Sequence, residues 1–295
     1  MITKNAMVTI CGRPNVGKST LTNALVGEKI AIVSNKAQTT RNRITCVLNS
    51  GDTQLVLMDT PGFHKPRNRL GDYMVSVVKE SIPDVDAVTL VVEPIANVGE
   101  QERELIARIK QSGARSVLVI NKIDTVEKDE LLAVIAAYAA EHDFDAIVPI
   151  SAAKRDGLDE LVSVLKGFAQ PGPQLFPDDM VTDQPERQVC AEIVREKLLL
   201  CLDREVPHGT AVEVTRFSER DNEIIDLDVT IYCEKESHKG IIIGRHGAML
   251  KRIGELSRRD IERDMGTKVF LQTWVKVKEN CRDSMAQLRN FGYTD

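Results

Sequence analysis

Residues 12–19 read Gly-Arg-Pro-Asn-Val-Gly-Lys-Ser, and this octet restricts the fold of the chain more than any other stretch. It fits G-x-x-x-x-G-K-S/T, a pattern that works only at a strand-to-helix turn. Both flanks comply. Met7 to Cys11 reads as a short buried strand, and Thr20 to Val26 reads as a helix that Gly27 ends. Gly12 and Gly17 let the backbone bend so that its N–H groups converge on phosphate oxygens. The helix N-terminus adds partial positive charge there. Lys18 can reach β- and γ-phosphates, and the Ser19 hydroxyl can ligate Mg2+. Arg13, Pro14, Asn15, Val16 and Thr20 complete the expected phosphate-contacting loop.

The rest of the first half repeats the strand–helix alternation. Ile44–Leu48 and Leu55–Met58 form an expected hairpin around Asn-Ser-Gly-Asp. Residues 72–81 have helical character. Buried strands follow at 87–92, 116–120 and 146–150, with helices at 100–111, 128–141 and 157–168. Such alternation specifies an α/β P-loop domain, a mostly parallel six-stranded sheet with helices on both faces. Residues 171–178 then hold three prolines and a glycine, a linker composition. The second half has a different order, helix–strand–strand–helix–helix–strand, which describes a smaller α+β domain. The expected division is 1–170, a linker at 171–185, and 186–295.

Three further short motifs each follow an expected strand. In Asp59-Thr60-Pro61-Gly62, Asp59 can orient metal-bound water and the Gly62 N–H can bond a γ-phosphate. Upstream, Thr39 and Thr40 lie in an unpatterned segment. Either hydroxyl can complete the metal shell, so Ser19, Thr40 and Asp59 are the expected metal set with Thr39 as the alternative. A flexible segment tied down by γ-phosphate is a switch. Asn121-Lys122-Ile123-Asp124 addresses the base. The Asp124 carboxylate matches the two donors on a guanine edge, and adenine offers no such pair. Lys122 can cover the ring, and Ser151-Ala152-Ala153 offers a backbone N–H to the guanine oxygen. GTP is therefore expected over ATP.

Composition bounds the remaining possibilities. With 42% hydrophobic and 28% charged residues the 295-residue chain reads as a globular protein. No apolar run approaches the roughly 18–20 residues of a membrane span, and the first residues lack a signal-peptide pattern, so a cytoplasmic location is expected. Six scattered cysteines argue against zinc. Net charge is −5, yet residues 235–278 carry 11 Lys/Arg against 5 Asp/Glu, leaving −11 elsewhere. That local basic surface is an electrostatic footprint for nucleic acid. Within it, Ile243-Gly244-Arg245-His246-Gly247 is an apolar run into a G-x-x-G turn, followed by Lys251, Arg252, Arg258, Arg259 and Arg263. The glycines allow close approach to phosphates, Arg245 supplies charge, and the neighbouring apolar strand would accept splayed bases. Phe270 and Trp274 are expected in the core, and His64, His142 and His208 at the surface.

Taken together, Gly-Arg-Pro-Asn-Val-Gly-Lys-Ser, Lys36-Ala-Gln-Thr-Thr-Arg41, Asp-Thr-Pro-Gly, Asn-Lys-Ile-Asp and Ser-Ala resemble the Era/TrmE group of GTPases. The G-x-x-G half resembles a type II KH domain, whose loop clamps backbone nucleotides. A GTPase domain joined to such a KH domain is similar, over the whole chain, to the Era family. The resemblance implies a GTP hydrolase that binds small-subunit (16S-type) ribosomal RNA near its 3′ end and acts in maturation of the small (30S-type) subunit. It also implies peripheral association with the inner membrane face, RNA rather than DNA as partner, and a monomer. Phe63 stands where Ras-like proteins carry a water-orienting Gln, so slow intrinsic turnover is expected. In related GTPases with Pro-Asn-Val in this loop the Asn helps hold K+, which implies that role for Asn15. Lys18, Asn15, Thr39, Thr40, Asp59 and Gly62 are thus the residues expected to act on the phosphates. The rivals are a passive RNA-binding scaffold with a structural nucleotide and a tRNA-modifying GTPase of the TrmE kind. The second lacks its C-terminal catalytic cysteine pattern here.

Overall fold

The computed structural model describes residues 1–36, 38–220 and 223–293. Ala37, inside the Lys36–Arg41 stretch, lies outside these residues, as do 221–222 and 294–295 of the second half. The chain divides into two compact units, one of residues 1–66 and 71–183, the other of 67–70 and 184–295.

The first unit is built on strands β1 (Lys4–Cys11), β2 (Ile44–Ser50), β3 (Thr53–Asp59), β4 (Ala87–Val92), β5 (Arg115–Ile120), β6 (Ala146–Pro149) and the two-residue β7 (Gln170–Pro171). Their order is β2-β3-β1-β4-β5-β6, with β7 antiparallel beside β1. Only β2, paired to β3 in a hairpin, and β7 run antiparallel. Every residue of β3 and β4 is buried, as a strand covered on both faces requires. Alternate residues divide between two cores. Val8, Leu55, Leu57 and Val119 pack with Leu21 and Leu25 of α1 (Lys18–Val26) and Leu161 and Leu165 of α5 (Leu158–Lys166). Val88, Leu90 and Leu118 pack with α2 (Arg69–Glu80), α3 (Glu100–Ser112) and α4 (Lys128–Ala139) through Val78, Leu105, Ile109 and Val134. All four nucleotide motifs sit at the C-terminal ends of β1, β3, β5 and β6, where ligands of open α/β sheets bind.

Residues 175–182 bind the first unit as a strap. The buried Gln54 side chain accepts the N–H groups of Leu175 and Phe176 at 2.8 and 2.9 Å and donates to the Phe176 carbonyl at 2.9 Å. Farther on, Val47 N–H bonds the Val181 carbonyl at 2.9 Å, and the Thr182 hydroxyl donates to the Thr45 carbonyl at 2.8 Å. The strap thus occupies the outer edge of β2.

The second unit carries α6 (Glu186–Cys201), β8 (Thr210–Glu219), β9 (Ile225–Cys233), α7 (Glu236–Ile243), α8 (Ala248–Met265), β10 (Val269–Val277) and α9 (Met285–Asn290). Its sheet has the order β10-β9-β8, with β10 parallel and β8 antiparallel to β9. Leu227, Val229 and Ile231 of β9 pack against Val194, Leu198, Ile242, Ile253 and Ile261 of the helices, a core of its own. The apolar run before the G-x-x-G loop is the end of helix α7. Phe270 and Trp274 are 49% and 42% exposed, so they are surface residues and not core. They share parity with Lys268 and Lys276 along the strand, which places them on its outer face.

Candidate functional site

Gly17 holds φ +97° at the foot of α1, and a Cβ there would collide with the Asn121 amide. Gly62 likewise approaches the loop so closely that a Cβ would sit 2.7 Å from Pro14 Cα. At each contact the motifs can meet because the glycine side carries no Cβ against the Asn121 amide or the Pro14 ring. Inside the loop Lys18 is buried, and its ammonium donates to the Gly12 and Arg13 carbonyls at 3.1 and 2.8 Å. Burial lowers its pKa to about 8, against the opposing pull of Asp59.

Three oxygens converge below the loop. Ser19 Oγ donates to Asp59 Oδ2 at 2.7 Å and lies 2.8 Å from Thr40 Oγ1. Thr39 points elsewhere, its hydroxyl donating to the Lys36 carbonyl at 2.7 Å. The structure thus brings Thr40, and not Thr39, to Ser19 and Asp59. Asp59 is fully buried, and burial pushes its carboxyl up to about 6 despite the attraction of Lys18. Its Oδ1 has no hydrogen-bond partner among the described residues. A buried, orphaned carboxylate oxygen beside two hydroxyls is a hard-oxygen donor set, the kind that fits Mg2+.

The neighbouring residues divide by role. The Thr60 hydroxyl is spent on the Ile10 carbonyl at 2.8 Å, and Pro61 is buried. Phe63 is 2% exposed and belongs to the apolar cluster of Cys11, Val78 and Leu90, while its N–H bonds the Gly12 carbonyl at 3.0 Å. A cleft of about 330 Å3 opens over Asn15, Lys18, Ser19, Thr40, Gly62 and Lys122.

At the base end, Asn121 acts as a tie. Its Nδ2 donates to the Val16 carbonyl at 2.9 Å and its Oδ1 accepts the Ala152 N–H at 3.0 Å. Lys122, at φ +66°, donates to the Asn15 carbonyl at 2.7 Å and pairs with Glu93 at 2.5 Å. Asp124 Oδ1 accepts the Ser151 hydroxyl at 2.6 Å. Ala153 is exposed. Sequence reasoning missed Glu93, which also faces Arg13 at 3.9 Å, while Arg13 pairs with the buried Glu102. The available signal was position, since Glu93 directly follows β4, as the motifs follow their strands. Nor is His64 an ordinary surface residue. It is half-buried, with Nδ1 2.8 Å from the Gly62 carbonyl and Nε2 3.4 Å from Gln38 Nε2. His142, also half-buried, lies 3.0 Å from the Ser116 hydroxyl, and His208 is half-buried.

In the second unit Gly244 holds φ +73°, and a Cβ there would meet Met249 Cβ at 2.7 Å. His246 and Gly247 follow at φ +52° and +77°, so the loop turns sharply into α8. Arg245, His246, Lys251, Arg252 and Arg258 are exposed, and Ile243 is half-buried. A groove of about 470 Å3 runs from Gly247 along Leu250, Lys251 and Arg258 of α8, faced by Leu271 and Thr273 of β10. The apolar wall beside the loop is therefore made by α8 and β10, and Arg252 lies outside the groove lining.

Comparison with known proteins bears on both units. Residues 7–122 match a family described as 50S ribosome-binding GTPase, and residues 205–282 match the KH domain family. The chain is 51% identical over 290 residues to GTPase Era of Ruminiclostridium cellulolyticum, covering 98% of this chain and 97% of that protein. It is 49% identical to GTPase Era of Clostridioides difficile, covering 99% of each. A crystal structure of Era with MgGDPNP and nucleotides 1506–1542 of 16S ribosomal RNA superposes with a TM-score of 0.96 at 37% identity, over 99% of this chain and 100% of that one. An Aquifex aeolicus Era variant bound to GDP·AlF4− gives 0.95 at 37% identity, with the same coverage.

Proposed function

The chain belongs to the Era family of GTPases, and we propose from that premise that it hydrolyses GTP and binds small-subunit ribosomal RNA near its 3′ end in maturation of that subunit. The observation that carries the catalytic half is the convergence of Ser19, Thr40 and Asp59 beside Lys18. Residues 1–170 are the GTPase domain and 186–295 the KH domain of this reading, joined by 171–185.

Lys18 holds the β- and γ-phosphate oxygens, and the loop N–H groups from Asn15 to Thr20 surround the rest. Ser19 and Thr40 take the metal, with Asp59 behind them fixing its water. Mg2+ held there would supply positive charge against the phosphates. The Gly62 N–H reads the γ-phosphate, and Thr40 and Gly62 release together once it is gone, which loosens both switch segments. Asp124 reads the guanine edge, held by the Ser151 hydroxyl, while Asn121 keeps the base and phosphate ends in register. Phe63 is committed to the core and orients no water, so turnover is slow. Asn15, whose side chain donates to the Asn35 carbonyl at 3.1 Å, is the residue this reading assigns to K+ near the phosphates. The KH loop Gly244–Gly247 clamps RNA backbone, and the α8–β10 groove takes bases. In this reading GTP in the first domain, through the switch segments, controls RNA affinity in the second. The protein acts in the cytoplasm with peripheral contact to the membrane face, and no helix among the described residues is long and apolar enough to cross a membrane.

Turnover of GTP and ATP, each in K+ and in Na+ buffer, tests the catalytic half. GTP alone is hydrolysed, faster in K+. Equal hydrolysis of ATP would overturn the base assignment, and identical rates in the two salts would remove Asn15 from the mechanism.

A further inference from the structure

Phe270, Gln272, Trp274 and Lys276 alternate along the outer face of β10, and all four are exposed. Large aromatic rings left to water are costly, about 1.5–3 kcal/mol each when burial is forgone, and here two lie two register steps apart. Their neighbours are cationic. The Arg220 guanidinium sits 5.4 Å over the Phe270 ring, and Lys276 follows Trp274 on the same face. Asp226 and Glu213 of the face are engaged, while Asp228 stands opposite Gln272, between the two rings. Asp226, opposite Phe270 in the register, is held by Arg216 at 3.3 Å and Arg220 at 2.5 Å, and Glu213 accepts the Tyr232 hydroxyl at 2.8 Å. Tyr232 is itself covered by Lys278, 5.2 Å from its ring. Aromatic rings interleaved with cations are the chemistry that stacks unpaired bases while the backbone phosphates stay neutralised.

Placement decides which bases. β10 is the edge strand of its sheet, and its inward side chains Leu271 and Thr273 already wall the groove beside the G-x-x-G loop. Trp274 is therefore on the other face of the same edge strand. A G-x-x-G loop clamps about four nucleotides, whereas the RNA in the solved Era complex runs over nucleotides 1506–1542. An RNA of that class extends well past the groove. We infer that the outer face of β10, centred on Trp274 and Phe270, is a second RNA-contact surface that stacks unpaired nucleotides leaving the groove over the strand edge. This inference rests on the RNA reading of the KH unit.

Trp274 is the sole tryptophan of the chain, so its emission reports on this face alone. The full-length protein with a non-hydrolysable GTP analogue is titrated with two synthetic RNAs. One is a pentanucleotide from the small-subunit rRNA 3′ end, and the other is a segment of about forty nucleotides ending there. The long RNA quenches Trp274 emission and the pentanucleotide does not. Trp274→Leu binds the long RNA about 5- to 100-fold more weakly and the pentanucleotide unchanged, which also shows that the variant is folded. Trp274→Phe restores most of the affinity. Equal binding of the long RNA by wild type and Trp274→Leu would overturn the inference and leave the groove reading intact. Failure of the wild type to bind either RNA would overturn both. If Trp274→Leu weakens binding to whole small subunits but not to naked RNA, the face contacts protein and the inference is wrong.

Discussion

A carboxylate sealed from water, as Asp59 is, costs free energy until something positive reaches it. Burial outweighs the attraction of Lys18, and the carboxyl titrates near 6 instead of near 3.8. The folded protein then holds this proton more tightly than the unfolded chain does. Stability is present in full below the unfolded value and is eroded as pH rises through the folded one, so the nucleotide-free protein loses stability between about pH 4 and pH 6. Asp59→Asn removes the buried charge. We expect it to stabilise the nucleotide-free protein at pH 7 by about 1–3 kcal/mol, and to abolish the Mg2+ dependence of GTP affinity. Denaturant titration and calorimetry with and without Mg2+ check both. A less stable variant would mean that the Ser19 contact outweighs desolvation. At this scale the residues that the structure gathers around the cleft were legible because each carries a distinctive chemistry at a strand end. Glu93 offered only its place after β4, because its partners Arg13 and Lys122 are far off in sequence, and His64 offered nothing, because its contacts to the Gly62 carbonyl and the Gln38 amide follow no motif. The choice between Thr39 and Thr40 required backbone geometry, since the two hydroxyls are chemically alike.

Among the elements, the strap shows what composition conceals. Prolines at 171, 173 and 177 suggest a free linker, yet residues 175–182 are hydrogen-bonded to Thr45, Val47 and Gln54. Gln54 alone serves three backbone groups of the strap. Gln54→Ala takes the partner from the Leu175 and Phe176 N–H groups, while the Phe176 carbonyl keeps the Gln174 amide, and is expected to cost about 1–3 kcal/mol, speeding proteolysis within 171–183 and leaving GTP affinity unchanged. Chemical denaturation and limited proteolysis measure this. If protease sensitivity is unaltered, the strap is held by its apolar contacts. The strand β10 gives the converse lesson. Its alternation was read correctly as a strand, but aromatic rings suggested the core. Parity with Lys268 and Lys276 pointed outward, and the structure follows parity. Of the apolar residues 241–243, only Ile242 is fully buried on helix α7, while Ile241 remains half exposed.

Across the molecule, the first unit has two apolar clusters and the second has one of its own, and no described residue is shared between the units' clusters. A chain ending at Asp183 should therefore fold and turn over GTP at near the full-length rate without RNA. A chain ending at residue 170, lacking the strap, should be less stable. Comparing their melting transitions and turnover tests this, and equal stability would show that the strap contributes nothing. Gly247→Asp in the full chain has open space for its side chain, puts negative charge beside the RNA phosphates, and is expected to weaken RNA binding at least tenfold with GTP turnover retained. Loss of both would indicate unfolding. That there are two units was legible from the change in element order, because hydrophobic periodicity reports each core separately; their break at 183/184 was not, because the strap carries no such periodicity. The strap also sets a timetable for synthesis. β2 leaves the ribosome about 130 residues before the segment that covers its edge. At about 5–20 residues per second, that edge stays uncovered for about 6–26 s, so a nascent chain stalled in this interval presents an open strand edge to its neighbours on the same message.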